Sequence, residues 1–282
     1  MAISLYVFIT LTLVTCENRF VYHPYSFGQQ VEHETLVHPC AEEVYFDAPV
    51  GVRLHGNLLL SGNYIDENTI PILFCHGNGG WIGVNTEWIF FEPQEIHARE
   101  GAQPAKYAMF LFDYRGYGRS DGTRADLSEE NLYTDARSAR AWLARRCACA
   151  EDEIVLMGHS LGGGVAVELA QDGAEKLVLY STFDTVPRVA RNFCPIYPFD
   201  FVMDNQFASI KKIPNVQCPL LQFHGTYDCT VPYRNGRRLF SVANEPKQWV
   251  ELKRFGHQYG LGSVLLKELN DFLDRDFSES AR

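Results

Sequence analysis

Past residue 40 the chain alternates two kinds of segment: short, nearly continuous apolar runs, and longer stretches in which apolar positions recur every three or four residues. The short runs, at 70–75, 107–112, 154–157, 177–180, 220–223 and 249–252, suit strands covered on both faces of a sheet. The longer stretches, at 129–146, 161–171, 233–242 and 261–273, carry the period of amphipathic helices. Ahead of them, 42–46 and 52–60 predict an antiparallel strand pair joined through Pro49-Val50-Gly51, and 62–67 supplies turn residues. Strand and helix in turn make βαβ units. The expected class is therefore α/β, with a mainly parallel sheet of about eight strands, right-handed crossovers and helices on both faces.

Two regions depart from this rhythm. Residues 182–217 crowd together Phe183, Phe193, Tyr197, Phe199, Phe201 and Phe207, while Pro187, Pro195 and Pro198 prevent one long helix. This reads as a small inserted cap. Phe193, Tyr197, Phe199 and Phe201 are candidates for an apolar substrate-binding wall, the alternative being that these rings only pack the insertion onto the core.

The second departure is the N-terminus, where residues 1–15 carry no charged side chain and 5–14 form an apolar run. A membrane span needs about 20 such residues, so the run is better suited to the core of a signal peptide, although no Lys or Arg precedes it. Leu13-Val14-Thr15-Cys16 resembles a bacterial lipobox, in which the cysteine is lipidated. Residues 1–16 are accordingly expected to be a leader that exports the protein or tethers it to a membrane. A retained short anchor or a plain buried segment in a cytoplasmic protein are the alternatives. Residues 17–42 read as an extended approach to a domain spanning 43–277.

Composition adds limits. With 46% hydrophobic and 21% charged residues over 282 positions, one ordinary α/β domain is allowed. A chain of this size buries roughly 75% of its unfolded surface without help from disulfides or metals. The net charge of −10 argues against nucleic acid as a partner, because phosphate contacts need clustered cations. The eight cysteines include no Cys-x-x-Cys, and no metal site is expected. Mostly buried free thiols are the simpler expectation, with Cys194 to Cys218 or to Cys229 as the pairing if a bridge forms.

The chemistry concentrates around Gly158-His159-Ser160-Leu161-Gly162, which directly follows one apolar run and directly precedes a helical segment. That strand, turn, helix context is what a nucleophile elbow requires, with glycines where the sharp turn crowds the backbone. A serine hydroxyl needs a histidine to take its proton and a carboxylate to orient that histidine. Asp228 and His257 each follow a strand, where ligand sites of open α/β sheets lie. Asp184 and Asp204, around the cap entrance, are rival acids, with Asp228 preferred. His76, His159 and His224 are expected to serve local turns and packing, and Asp113 to brace the loop 114–118. The turn His76-Gly77-Asn78-Gly79-Gly80 can present the Asn78 amide to an oxyanion, with the Leu161 amide at the start of the elbow helix as second donor. A phosphate loop is disfavoured because no Gly-Lys-Ser or Gly-Lys-Thr follows.

Taken together, Phe74-Cys75-His76-Gly77-Asn78-Gly79-Gly80, Phe112-Asp113-Tyr114-Arg115-Gly116-Tyr117-Gly118-Arg119-Ser120, Asn131-Leu132-Tyr133-Thr134-Asp135-Ala136 and His224-Gly225-Thr226-Tyr227-Asp228 resemble the α/β-hydrolase superfamily. The resemblance runs from about 43 to 272. It is to the short-cap serine hydrolases that include protein depalmitoylases and lipoprotein-like bacterial hydrolases. It implies Ser160, Asp228 and His257 as a triad, with no cofactor. One departure is Gln258-Tyr259 after Gly256-His257, where that branch commonly has Asn-Asp. The predicted activity is hydrolysis of carboxylic esters or thioesters of a small-molecule or acyl substrate through an acyl-enzyme on Ser160. A peptidase or amidase on the same triad, or a non-catalytic binding protein of the same fold, are the alternatives.

Overall fold

The computed structural model describes residues 17–24, 41–82, 103–195, 197–257 and 263–277. Residues 1–16, on which the expected leader and its Cys16 fall, and Gln258 and Tyr259 lie outside these. No described helix is long and apolar enough to cross a membrane.

Eight strands form one sheet: β1 Ala41–Ala48, β2 Val52–Leu60, β3 Ile70–Cys75, β4 Tyr107–Phe112, β5 Val155–His159, β6 Leu177–Tyr180, β7 Leu220–Gly225 and β8 Lys247–Leu252. Their spatial order is β1-β2-β4-β3-β5-β6-β7-β8. Only β2 runs antiparallel to its neighbours; every other pairing is parallel. The order reverses between β4 and β3, and the C-terminal ends of β3, β5, β7 and β8 all open toward one edge, where open α/β sheets place their ligands.

The continuous apolar runs are explained by burial on both faces. Leu73, Phe110, Leu156 and Leu179 join one apolar cluster, while their neighbours Phe74, Leu111, Val155 and Val178 join a second. Successive side chains of a strand point to opposite faces, so a strand with helices on both sides must be apolar at every position.

Between Glu17–Val21 (α1) at the front and Ser263–Asp274 (α8) at the end, the described α-helices are α2 Glu129–Cys147, α3 Leu161–Ala170, α4 Val186–Phe193, α5 Phe199–Val202, α6 Ser209–Lys212 and α7 Tyr233–Ser241. Helices α2, α3 and α7 pack in the first cluster and α8 in the second. Helix α2 begins where its sequence says it should: the Ser128 hydroxyl accepts from the Asn131 amide at 3.2 Å, and Glu129 and Glu130 occupy the first turn. It stops at Ala148, whose left-handed φ of 54° ends the repeat.

The cap is three short helices, α4 to α6, as its prolines require. Pro187 sits in the first turn of α4, where a missing amide costs nothing, and Thr185 caps that helix through the Arg188 amide at 3.2 Å. Glu129 fastens the insertion to α2: its carboxylate accepts from the Phe207 amide at 2.7 Å and lies 3.2 Å from Lys212 Nζ.

One expectation is corrected. Residues 17–21 are helical rather than extended, because the segment lies against the domain and its Glu17 carboxylate finds amide donors there. Every described cysteine is free, Cys194, Cys218 and Cys229 included, which is the simpler of the two expectations, although only Cys75 is buried. Cys218 precedes β7 and Cys229 follows it, so the strand separates them, while Cys194 ends α4 on the cap.

Candidate active site

Ser160 occupies the turn between β5 and α3 with φ 53° and ψ −118°, a conformation that costs a residue with a β-carbon. The surroundings hold it there. Its amide donates to the Tyr180 carbonyl at 3.0 Å and its carbonyl accepts from the Thr182 hydroxyl at 2.7 Å. The flanking glycines are required by close approach: a β-carbon at Gly162 would lie 2.0 Å from the Cys75 carbonyl oxygen, and one at Gly158 would lie 2.4 Å from that of Gly162.

His257 Nε2 lies 3.0 Å from Ser160 Oγ, and His257 Nδ1 lies 2.8 Å from Asp228 Oδ2. A carboxylate only accepts, so Nδ1 carries the proton and Nε2 offers its lone pair to the serine hydroxyl. The loop after β7 fixes Asp228: Oδ1 accepts from the amides of Thr230 at 2.9 Å and Val231 at 2.7 Å. Burial alone would raise this carboxyl, but hydrogen bonds from His224 and His257 hold it well below the ordinary carboxylate range. It is ionised at neutral pH.

His159, His224 and His76 are structural supports. Desolvation of the half-buried His159 ring, together with the nearby His257, pushes its pKa down to about 3. It is thus neutral, and its Nε2–H donates to the His257 carbonyl at 3.3 Å, bracing the segment that carries the triad histidine. His224 Nε2–H donates to the Val231 carbonyl at 2.9 Å and lies 3.4 Å from Asp228 Oδ2. His76 Nδ1–H donates to the Gly77 carbonyl at 2.7 Å. A trans peptide points its N–H opposite its C=O, so this bond sets the direction of the Asn78 amide. Asp113 accepts from His55 Nδ1 at 2.8 Å and the Ile82 amide at 2.9 Å.

Asn78, Ser160 and Leu161 line one cavity of about 390 Å³, within the range of small-molecule pockets. As the first residue of α3, Leu161 has an amide with no acceptor in its own helix. Much of the rest is apolar: Phe183, Val186, Val189, Phe199, Val202 and Met203 take part.

The cap aromatics divide. Phe193 and Phe199 line the cavity; Tyr197 and Phe201 do not. Phe201 is 90% exposed on the outer side of α5, and Tyr197 is buried with its ring 4.8 Å from that of Phe199. Phe207 belongs to the core, edge-on to Tyr22 and Tyr133. The rival acids lie elsewhere: Asp184 binds Arg188 at 2.9 Å and Arg238 at 2.8 Å, and the exposed Asp204 lines a separate pocket beside Glu129 and Lys212.

Sequence could not separate the four, because these residues are only a few positions apart in a stretch without a regular period, so spacing alone does not tell which ring faces inward. Sequence reasoning also missed Glu17, Phe20, Val21 and His23, which line the same cavity from ahead of the sheet. Only the apolar Phe20-Val21-Tyr22 within a polar stretch hinted at burial there.

Comparison with known proteins agrees with this architecture. A model of the alpha/beta hydrolase family matches residues 72–262. The chain is 32% identical over 262 residues to the uncharacterized protein Rv2307c of Mycobacterium tuberculosis, covering 91% of this chain and 87% of that one. It is 30% identical over 201 residues to the lysophosphatidylserine lipase ABHD12 of Macaca fascicularis, covering 64% of this chain and 47% of the lipase. Among solved structures, Est1E of Butyrivibrio proteoclasticus with ferulic acid bound aligns over 82% of this chain and 97% of its own with a TM-score of 0.62, at 19% identity.

Proposed function

The chain belongs to the alpha/beta hydrolase family, and from that premise we propose that it is a serine hydrolase cleaving carboxylic esters or thioesters through an acyl-enzyme. The observation that carries this reading is the unbroken relay from Asp228 through His257 to Ser160, with the serine opening into an apolar cavity. Esterase and lipase relatives support the same class of reaction.

In the first half-reaction Ser160 Oγ attacks the carbonyl carbon while its proton passes to His257 Nε2. Asp228 stabilises the imidazolium and keeps it in the attacking orientation. The tetrahedral oxyanion lies against the Asn78 and Leu161 amides, and donors fixed in advance stabilise such charge without reorganisation. Collapse breaks the bond to the alcohol or thiol, which leaves with the proton from His257. Water, deprotonated by His257, then attacks the acyl-enzyme and releases the acid and a free serine. The steps need only these residues and water.

Ser160→Ala tests the reading. Turnover of p-nitrophenyl esters is expected to fall about 10⁶-fold and fluorophosphonate labelling to vanish. Labelling and hydrolysis that persist unchanged would refute the assignment.

A further inference from the structure

The segment ahead of the sheet is bound on two sides of the cavity it lines. On the cap side, the Glu17 carboxylate, 6% exposed, accepts from the amides of Asp204 at 2.9 Å and Asn205 at 2.7 Å, and from Asn205 Nδ2 at 2.7 Å. The fully buried Tyr22 donates its hydroxyl to Asn205 Oδ1 at 2.6 Å. On the other side, the His23 amide donates to the Asn78 carbonyl at 3.0 Å and Asn78 Nδ2 donates to the Val21 carbonyl at 3.1 Å. Residues 23–24 run parallel to 79–80 as a two-stranded ribbon.

Buried carboxylates persist where hydrogen bonds replace lost water, and Glu17 satisfies its oxygens with groups of the cap. Segment 17–24 thus spans from the cap to Asn78. Asn78 is held at its carbonyl by His23 and Tyr117, at its side chain by Val21, and at the preceding peptide by His76. Two of these ties come from the segment. Phe20 and Val21 meanwhile line the cavity beside the cap residues Val189 and Val202.

We propose that residues 17–24 are a working part of the hydrolase site. In this proposal, which rests on the acyl-enzyme reading above, Phe20 and Val21 contact the acyl chain of a medium- or long-chain ester. The Val21 and His23 backbone holds Asn78 where its amide meets the oxyanion. Glu17 is a positioning residue that acts through this strap. Each methylene placed against such a wall is worth about fourfold in binding, so the segment contributes selectivity for long chains.

The test uses full-length protein, with p-nitrophenyl acetate and octanoate as substrates and reactive sites counted by fluorophosphonate labelling. Phe20 is 59% exposed, so Phe20→Ala leaves the fold intact. Its octanoate-to-acetate ratio of kcat/KM is expected to fall about tenfold through KM. Glu17→Ala is expected to lower kcat per labelled site about tenfold on both esters, as a displaced oxyanion donor does. Glu17→Gln, keeping one acceptor oxygen, recovers part of that loss. A merely structural role would lower the melting temperature and leave kcat per labelled site intact. An unchanged acyl preference in Phe20→Ala overturns the chain-contact role, and an unchanged kcat in Glu17→Ala overturns the positioning role. Wild-type protein that is neither labelled nor active would overturn the acyl-enzyme reading instead.

Discussion

On the sheet side of the cavity, Ser160, Asp228 and His257 stand just beyond the ends of β5, β7 and β8, whereas the cap and N-terminal lining comes from α1, α4 and α5, helices of 5, 8 and 4 residues. The two sides are stabilised differently. Strand pairing fixes the sheet side: Cys75 of β3 pairs with Gly158 and His159 of β5 with Tyr180, so the serine turn has a set height above the sheet. The cap side has no such ladder and relies on buried side-chain ties, notably Glu17 to Asn205 and Asp184 to Arg188 and Arg238. The height of the serine turn thus rests on backbone hydrogen bonds, while the cap side of the cavity rests on a few polar side chains that one substitution can remove.

The largest test of that division is Asp228→Asn. The asparagine amide would donate toward His257 Nδ1, placing the proton on Nε2, where it cannot accept from Ser160. A loss of about 10⁴ in kcat is expected with little change in the melting curve. A matching collapse of stability would show that the loop after β7 is structural as well.

Within the cap, Phe207 and Phe201 sharpen the contrast. Phe207 is fully buried and packs on Gly164, where a β-carbon would come within 3.1 Å of its ring. Phe207→Ala should cost about 3–5 kcal/mol in denaturant unfolding. Phe201→Ala, at a residue 90% exposed, should stay within about 0.5 kcal/mol. Equal effects would mean that the cap does not share the core of the sheet.

An effect between these two concerns Asp184, whose side chain is fully buried. Burial would raise its carboxyl, but Arg238, Asn235 and Arg188 hold it below the ordinary range. A lowered folded-state pKa contributes stability that is complete above the unfolded carboxylate pKa and lost as pH falls through the folded value. Asp184→Asn should therefore cost about 2 kcal/mol at neutral pH. The gap to wild type should narrow below about pH 4. A gap that is constant from pH 7 to pH 3 would assign the effect to packing instead of charge.

Much of the sheet side was legible in the chain. The runs at 70–75, 107–112 and 177–180 coincide with β3, β4 and β6, because a strand buried on both faces has to be apolar along its whole length. The serine turn was legible because its requirements are local: glycines at 158 and 162 answer contacts that the turn itself creates. Asp228 and His257 could be named by their places after strands, although their approach to Ser160 depends on the register of β5, β6, β7 and β8.

By itself, then, the sequence determined the βαβ class, the elbow and the order of serine, acid and histidine, since each is written in neighbours along the chain. The tertiary structure alone decided that Phe199 faces the cavity while Phe201 faces solvent, that Asp184 is tied to arginines, and that Glu17 meets Asn205. The last contact spans 188 residues, and no local period or turn signal encodes such a distance. It exists because a buried carboxylate must find donors, and the folded cap is where the donors are.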